Sequence, residues 1–342
     1  MLQPTPGYLI TARPAVLARW LWCVAALIVA MVVVGGITRL TESGLSITQW
    51  KPISGILPPL NDAQWQAEFA NYQKIPEYQQ LNRGMTLAGF KAIFFWEYIH
   101  RLLARAIGLA FALPLVWFAV KKRIPRGYGW RLTAILALGG MQGVIGWWMV
   151  SSGLSVRTDV SHIRLAVHLM TALFILSATV WTALDLRGVA HNPIARPARL
   201  RPVAALALLL LAAQIMWGAF TAGLDAGYAF ASWPLMGDAI FPPDVPMLAP
   251  AWTNAVDNPI VVQFIHRWLA FVAAGGLFWL ALKAGRPVGT VVVLLVVLQV
   301  SLGIATLLSG VQIGVAVAHQ ANAALLLIAA VAAAHTLGAQ RA

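Results

Sequence analysis

Apolar residues gather in eight stretches of near-spanning length, at roughly 17–38, 92–120, 131–151, 162–186, 202–222, 259–282, 287–308 and 314–338. The pattern predicts eight transmembrane helices. The polar positions between them divide by side. Lys121, Lys122, Arg123, Arg126 and Arg131 follow the second stretch; Arg187, Arg196, Arg199 and Arg201 follow the fourth; Lys283 and Arg286 follow the sixth. Arg13, Arg19 and Arg341 place both termini on that basic side. The long connection 223–258 carries Asp225, Asp238, Asp244 and Asp257 but no Lys or Arg. The positive-inside rule then puts both termini in the cytoplasm and the long loops outside. In the first outer loop, about 41–91, Asn61 or Asp62 can cap a short helix on which Trp65, Phe69 and Tyr72 share a face. Such a helix would lie on the membrane surface, which Trp and Tyr favour, or stand solvated in the loop.

Composition agrees with this pattern. The 342 residues are 60% hydrophobic and 10% charged, the balance of a polytopic membrane protein. The net charge of +13 fits basic cytoplasmic loops rather than nucleic-acid binding. A single cysteine, Cys23, excludes an intrachain disulfide and cysteine-based zinc or iron–sulfur centres. Arg13 and Arg19 flank the start of the first apolar run as in a signal peptide, but the run is long enough to span and no A-x-A site follows. It is expected to be a retained helix.

The chain contains an internal repeat. GGITRLTESG (35–44) matches GAFTAGLDAG (218–227), and Trp50 falls on Trp233 at the same offset. LPP (57–59) answers FPP (241–243), EYIHR (97–101) answers QFIHR (263–267), and QGVIG (142–146) answers QVSLG (299–303). Ser152-Gly153 answers Ser309-Gly310, and AVHLMTA (166–172) answers VAHQANA (317–323). Four helices return the chain to its starting side, so both halves have one orientation. The expected fold is an all-α membrane protein of two tandem four-helix bundles, 1–190 and 191–342, related by a pseudo-twofold axis along the membrane normal.

Four of the seven histidines lie inside predicted spans and pair across the repeat, His100 with His266 and His168 with His319. Their distance from the outer helix ends corresponds to a depth of about 12 Å, in the outer leaflet. Small residues accompany them: Ala104 and Gly108, Ala270 and Ala274, Ala172 and Ala323. Two histidines per half are too few for a zinc site, whereas two facing ligands with small neighbours suit bis-histidine haem. His162, His191 and His335 have no repeat partner and receive no role.

The halves differ at Glu97, whose counterpart is Gln263. Each precedes its histidine by three residues and shares its helix face. Glu can exchange a proton or stabilise developing positive charge, and Gln cannot. This assigns chemistry to the N-terminal half. The alternative is an ion pair of Glu97 with Arg101 or Arg105. Arg101 and its mate Arg267, with Arg105 and Arg164, are candidates to pair haem propionates; Arg39 and Arg157 are weaker ones.

GGITRLTESGLSITQWKPISGILPP, FKAIFFWEYIHR, QFIHRWLA and the late AHQ together resemble the haem A synthase family, over nearly the whole chain. The resemblance implies a multi-pass enzyme of the bacterial inner membrane, with haem sites near the outer face. It would oxidise a methyl group of haem O to the formyl group of haem A by successive water-derived hydroxylations, for cytochrome oxidase. By motif, His266 and His319 would ligate haem b. His100 and His168 would hold the substrate haem, with Glu97 beside the reacting methyl. Haem O would come from a farnesyltransferase and enter from the bilayer. Haem O synthase, cytochrome oxidase assembly factors, an electron acceptor and a second copy of the chain are the candidate partners. Some members carry cysteine pairs in the outer loops; this chain does not, so a thiol relay there is not open to it. Three rivals stand beside this reading. A di-haem b-type electron carrier explains the histidines but not Glu97. A transporter of parallel repeats needs a polar path that the apolar inner halves lack. A di-iron site needs a second Glu-x-x-His where the repeat has Gln.

Overall fold

The computed structural model describes residues 12–339 and is helical throughout its long elements. Among the described residues, eight helices are long and apolar enough to cross a membrane: α1 (Pro14–Leu40), α2 (Leu87–Val120), α3 (Gly129–Ser151), α4 (His162–His191), α5 (Pro202–Gly223), α6 (Pro259–Ala284), α7 (Val288–Leu308) and α8 (Ile313–Ala339). The protein is therefore a multi-pass membrane protein. Arg341 lies outside the described residues.

Local chemistry sets the helix ends. Pro14, Pro202 and Pro259 open α1, α5 and α6, where a missing N–H costs no helical bond. The Asn258 side chain accepts from Ile260 N–H at 3.1 Å and caps α6. α2 starts five residues before its apolar run because Thr86 caps it, accepting from Gly89 N–H at 3.2 Å. The extra turn, including Phe90, packs into the outer loop. There the helix Asp62–Tyr72 is capped by Asn61, which accepts from Gln64 N–H at 2.9 Å. Trp65, Phe69 and Tyr72 of that helix pack on Phe90, and Trp65 also meets Phe94 edge-on. The aromatic face predicted for the membrane surface is thus spent on α2.

Within the first half α1 packs on α2 and α4, and α3 packs on α2 and α4. In the second half α5 packs on α6 and α8, and α7 packs on α6 and α8. The halves meet through α1 with α8, α4 with α5, and α4 with α8. Exchanging α1 with α5 and α4 with α8 leaves that interface unchanged. Ala183, Ala330, Ala333 and Ala334 have no exposed surface and let α4 and α8 approach closely.

The two ends of the bundle are chemically distinct. At one end Arg13 N–H donates to Arg123 C=O at 3.0 Å, joining the start of α1 to the end of α2. At the same end a buried carboxylate, Asp185, takes Arg131 Nη1 at 2.6 Å, His335 Nε2 at 2.9 Å and Ala198 N–H at 3.0 Å. Asp185 thereby ties α3, α4, α8 and the linker between halves, and gives His335 a structural partner. At the other end Arg39 bonds Asp225 at 2.6 Å and also reaches the Ala222 carbonyl. His162 Nε2 lies 3.1 Å from Asp257, at an angle too poor for a hydrogen bond.

Candidate functional site

The chain leaves α1 and α5 by the same turn. Thr41 N–H bonds Ile37 C=O and Leu224 N–H bonds Phe220 C=O, both at 2.9 Å. The next residues, the repeat mates Glu42 and Asp225, hold left-handed φ values of 51° and 52°. Non-glycine residues adopt that conformation rarely, so its recurrence at matched positions marks a shared backbone.

Each turn feeds a loop that an arginine fastens down. Arg101 donates from Nη2 to Ile47 C=O at 2.7 Å and from Nη1 to Gln49 C=O at 3.0 Å. Arg267 donates from Nη2 to Phe230 C=O at 2.8 Å and from Nη1 to Ser232 C=O at 2.9 Å. Ile47 and Phe230 are repeat mates, as are Gln49 and Ser232, so one latch occurs twice. The residue four before each arginine separates them. Glu97 Oε1 accepts from Arg101 Nε at 3.0 Å and Nη2 at 2.6 Å; Oε2 accepts from Ser46 Oγ and Ile47 N–H, both at 2.7 Å. Gln263 instead donates to Phe230 C=O at 3.1 Å and accepts from Arg267 at 3.3 Å. Both side chains are buried. The expected alternative for Glu97, an ion pair with Arg101, is present, and it adds two further donors that the sequence did not reveal.

The other arginines also meet protein groups. Arg105 donates to the Pro52 and Lys51 carbonyls at 2.8 and 2.7 Å, but its Nη1 is buried and unpartnered. Arg164 donates to Trp148 C=O at 2.7 Å and sits over the Trp148 ring. Arg157 pairs with exposed Asp159.

The four histidines share one setting. His100 lies within electrostatic reach of His168, and His266 of His319. None of the four is fully buried, so each keeps a partly accessible face. Each ring rests on a glycine of the neighbouring helix. A Cβ added at Gly35 would come 3.0 Å from His100 Cε1; at Gly218, 2.9 Å from His266; at Gly146, 2.9 Å from His168; at Gly303, 3.0 Å from His319. A methyl at any of these positions would crowd the imidazole, most at Gly146 and Gly218. Three rings also meet a glutamine one turn before that glycine. Nε2 of Gln142 is 3.1 Å from His168 Nδ1, that of Gln214 is 3.1 Å from His266 Nδ1, and that of Gln299 is 3.2 Å from His319 Nδ1. Asn322 donates to Gln299 Oε1 at 2.7 Å. His100 Nδ1 is buried with no partner. QIMWG (214–218) is a third copy of the pattern in QGVIG and QVSLG, hidden from the repeat because its mate at 31–35 is MVVVG.

This donor set suits an iron in a flat macrocycle. Paired imidazoles, each seated against a glycine, and a buried carboxylate beside one pair are groups that would hold a haem iron and give its site a polar handle. Among the described residues no three His, Cys, Asp or Glu converge as a bare metal ion would need. The two sites are also joined. Gln320, next to His319, donates to Val32 C=O on α1 at 2.8 Å and packs on Gly36, beside the Gly35 that carries His100.

Comparison with known proteins leads to the same place. The model of the cytochrome oxidase assembly protein family matches residues 18–331. The chain is 61% identical over 332 residues to a haem A synthase of Rhizorhabdus wittichii, covering 95% of each chain. It is 53% identical to that of Sphingopyxis alaskensis, covering 96% of this chain and 94% of the relative, and 50% identical to that of Rhodospirillum centenum, covering 92% and 86%. An eight-helix frame with paired histidines, matched end to end by such relatives, places this chain in the haem A synthase family of cytochrome oxidase assembly proteins.

Proposed function

We propose that this enzyme of haem A biosynthesis is an oxidoreductase that converts a methyl group of haem O to a formyl group. One water supplies the oxygen, and per formyl group formed four protons are released and four electrons pass to an electron acceptor outside this chain. His100 and His168 hold the substrate haem in residues 1–190, and His266 and His319 ligate haem b in 191–342. The halves are related by a pseudo-twofold axis along the membrane normal. Termini are cytoplasmic, and the haem sites lie near the outer face of the bacterial inner membrane.

The observation that carries this reading is Glu97, a carboxylate beside one histidine pair and replaced by Gln263 beside the other. Its four donors favour a fixed anion that stabilises positive charge developing at the methyl carbon, more than a mobile base. Arg105, with a free buried Nη1, is the first choice among the arginines to meet a propionate. Arg101 and Arg267 hold loop carbonyls and reach a propionate only with N–H groups left over. Arg164 is the candidate at the α3–α4 side. Haem b, when bound, supplies one-electron chemistry and can receive electrons from the substrate side; Gln320 and Gly36 link the two sites.

The test is Glu97→Gln in purified protein, with bound haems extracted and weighed by mass spectrometry. Retained haem with haem A formation down by about a hundredfold or more is expected for a lost electrostatic contact at the reacting centre. Undiminished haem A formation would remove Glu97 from the chemistry. Haem b alone at both sites of the parent protein would favour the electron carrier.

A further inference from the structure

Three of the four histidines are held by a Gln-x-x-x-Gly pair on the adjacent helix: the glycine seats the ring and the glutamine meets Nδ1. At the fourth, His100, the glycine is present as Gly35, but the position one turn before it is Met31. Met31 is the repeat mate of Gln214. A thioether is at best a weak acceptor, and His100 Nδ1 is buried with no partner. A polar partner at the ring nitrogen turned away from the metal fixes the ring of a metal-binding histidine. Nε2 of Gln142 and of Gln214 meets Nδ1 and also donates to the backbone C=O of the same histidine, at 2.8 and 3.0 Å, which holds ring and helix together.

We infer that Met31 makes His100 the one weakly held ligand, so that the N-terminal site is built to let its haem go while the C-terminal site retains its own. An enzyme whose substrate and product are both haems needs one exchangeable site; a resident haem needs two anchored ligands. The inference rests on the haem reading above, and it makes Met31 a determinant of exchange rather than of chemistry.

The experiment uses the full-length protein loaded with haem b in detergent and mixed with excess apomyoglobin, so that release is read as the growth of the myoglobin Soret band. His319→Ala, which empties the C-terminal site, identifies the phase from the N-terminal one. In the parent protein the N-terminal phase should be the faster. Met31→Gln should slow it by about tenfold or more, the usual size of such an outer contact. Gln214→Met should speed the C-terminal phase by a similar factor. Should Met31→Gln fail to fold, Gln214→Met decides alone. Equal release from both halves, or rates indifferent to both exchanges with full loading, would overturn the inference and leave the haem reading standing. Failure of either half to load would count against the haem reading itself.

Discussion

At the scale of single residues, the glycines under the histidines set the tightest constraint. Gly218 has no room for a Cβ, because His266 Cε1 would lie 2.9 Å away. Gly218→Ala must push the imidazole off its seat. Haem content of the C-terminal half, read by pyridine haemochrome, is expected to fall by at least tenfold in affinity while the helices remain intact by circular dichroism. The histidines could be found by depth and repetition alone. Their glycines could not be, since 28 glycines are spread along the chain and helix-packing glycines look the same in sequence. The third glutamine was legible as a motif, QIMWG, but only once the ring contacts gave the spacing a meaning.

At the scale of elements, the outer loop between α1 and α2 carries a buried acid of its own. Glu77, in the short helix Pro76–Gln80, is 3% exposed, and its Oε2 has no hydrogen-bond partner. Burial, then the charges of Glu42 and Glu97, push its pKa from 4.5 up to about 8; the Tyr72 hydroxyl opposes them. The folded loop therefore binds this proton more tightly than the unfolded chain. Glu77's contribution to stability is complete below pH 4.5, falls as the pH rises towards 8, and is level beyond. Hydrogen-exchange protection factors of residues 62–90, corrected for the intrinsic rise of exchange with pH, should fall across that interval in the parent protein and lose most of this dependence in Glu77→Gln. The loop helix and its Asn61 cap were visible in the sequence. That Tyr72 and Phe69 cover the extended start of α2 was not, because an aromatic face fits a lipid interface and a protein surface equally well.

At the scale of the whole molecule, the halves are fastened by few polar contacts set in a small-residue interface. Asp185 is the largest of these, joining both halves through Arg131, His335 and the linker at Ala198. Asp185→Ala strands a positive charge and a histidine at this junction. A loss of about 3 kcal/mol is expected, at the lower end for a broken buried pair because Arg131 is partly exposed. Thermal unfolding in detergent measures it; an unshifted midpoint would mean the alanine-rich interface alone holds the halves together. Gln320, which bridges from beside His319 to α1, belongs to the same scale. Its partner is a backbone carbonyl 288 positions away, a pairing that no local pattern encodes.

By itself the sequence determined the eight helices, their basic and acidic ends, the repeat, the four histidines and the Glu97–Gln263 difference. Each of these is written in hydropathy, charge or duplication, which act along the chain. Tertiary structure decided the rest: that Arg101 and Arg267 latch equivalent loop carbonyls, that Glu97 accepts from four donors, and that His335 serves Asp185. It also decided that one histidine of four lacks its glutamine. These are matters of which helix stands beside which and at what height, and packing of near-uniform apolar helices leaves no periodic signal from which to read that register.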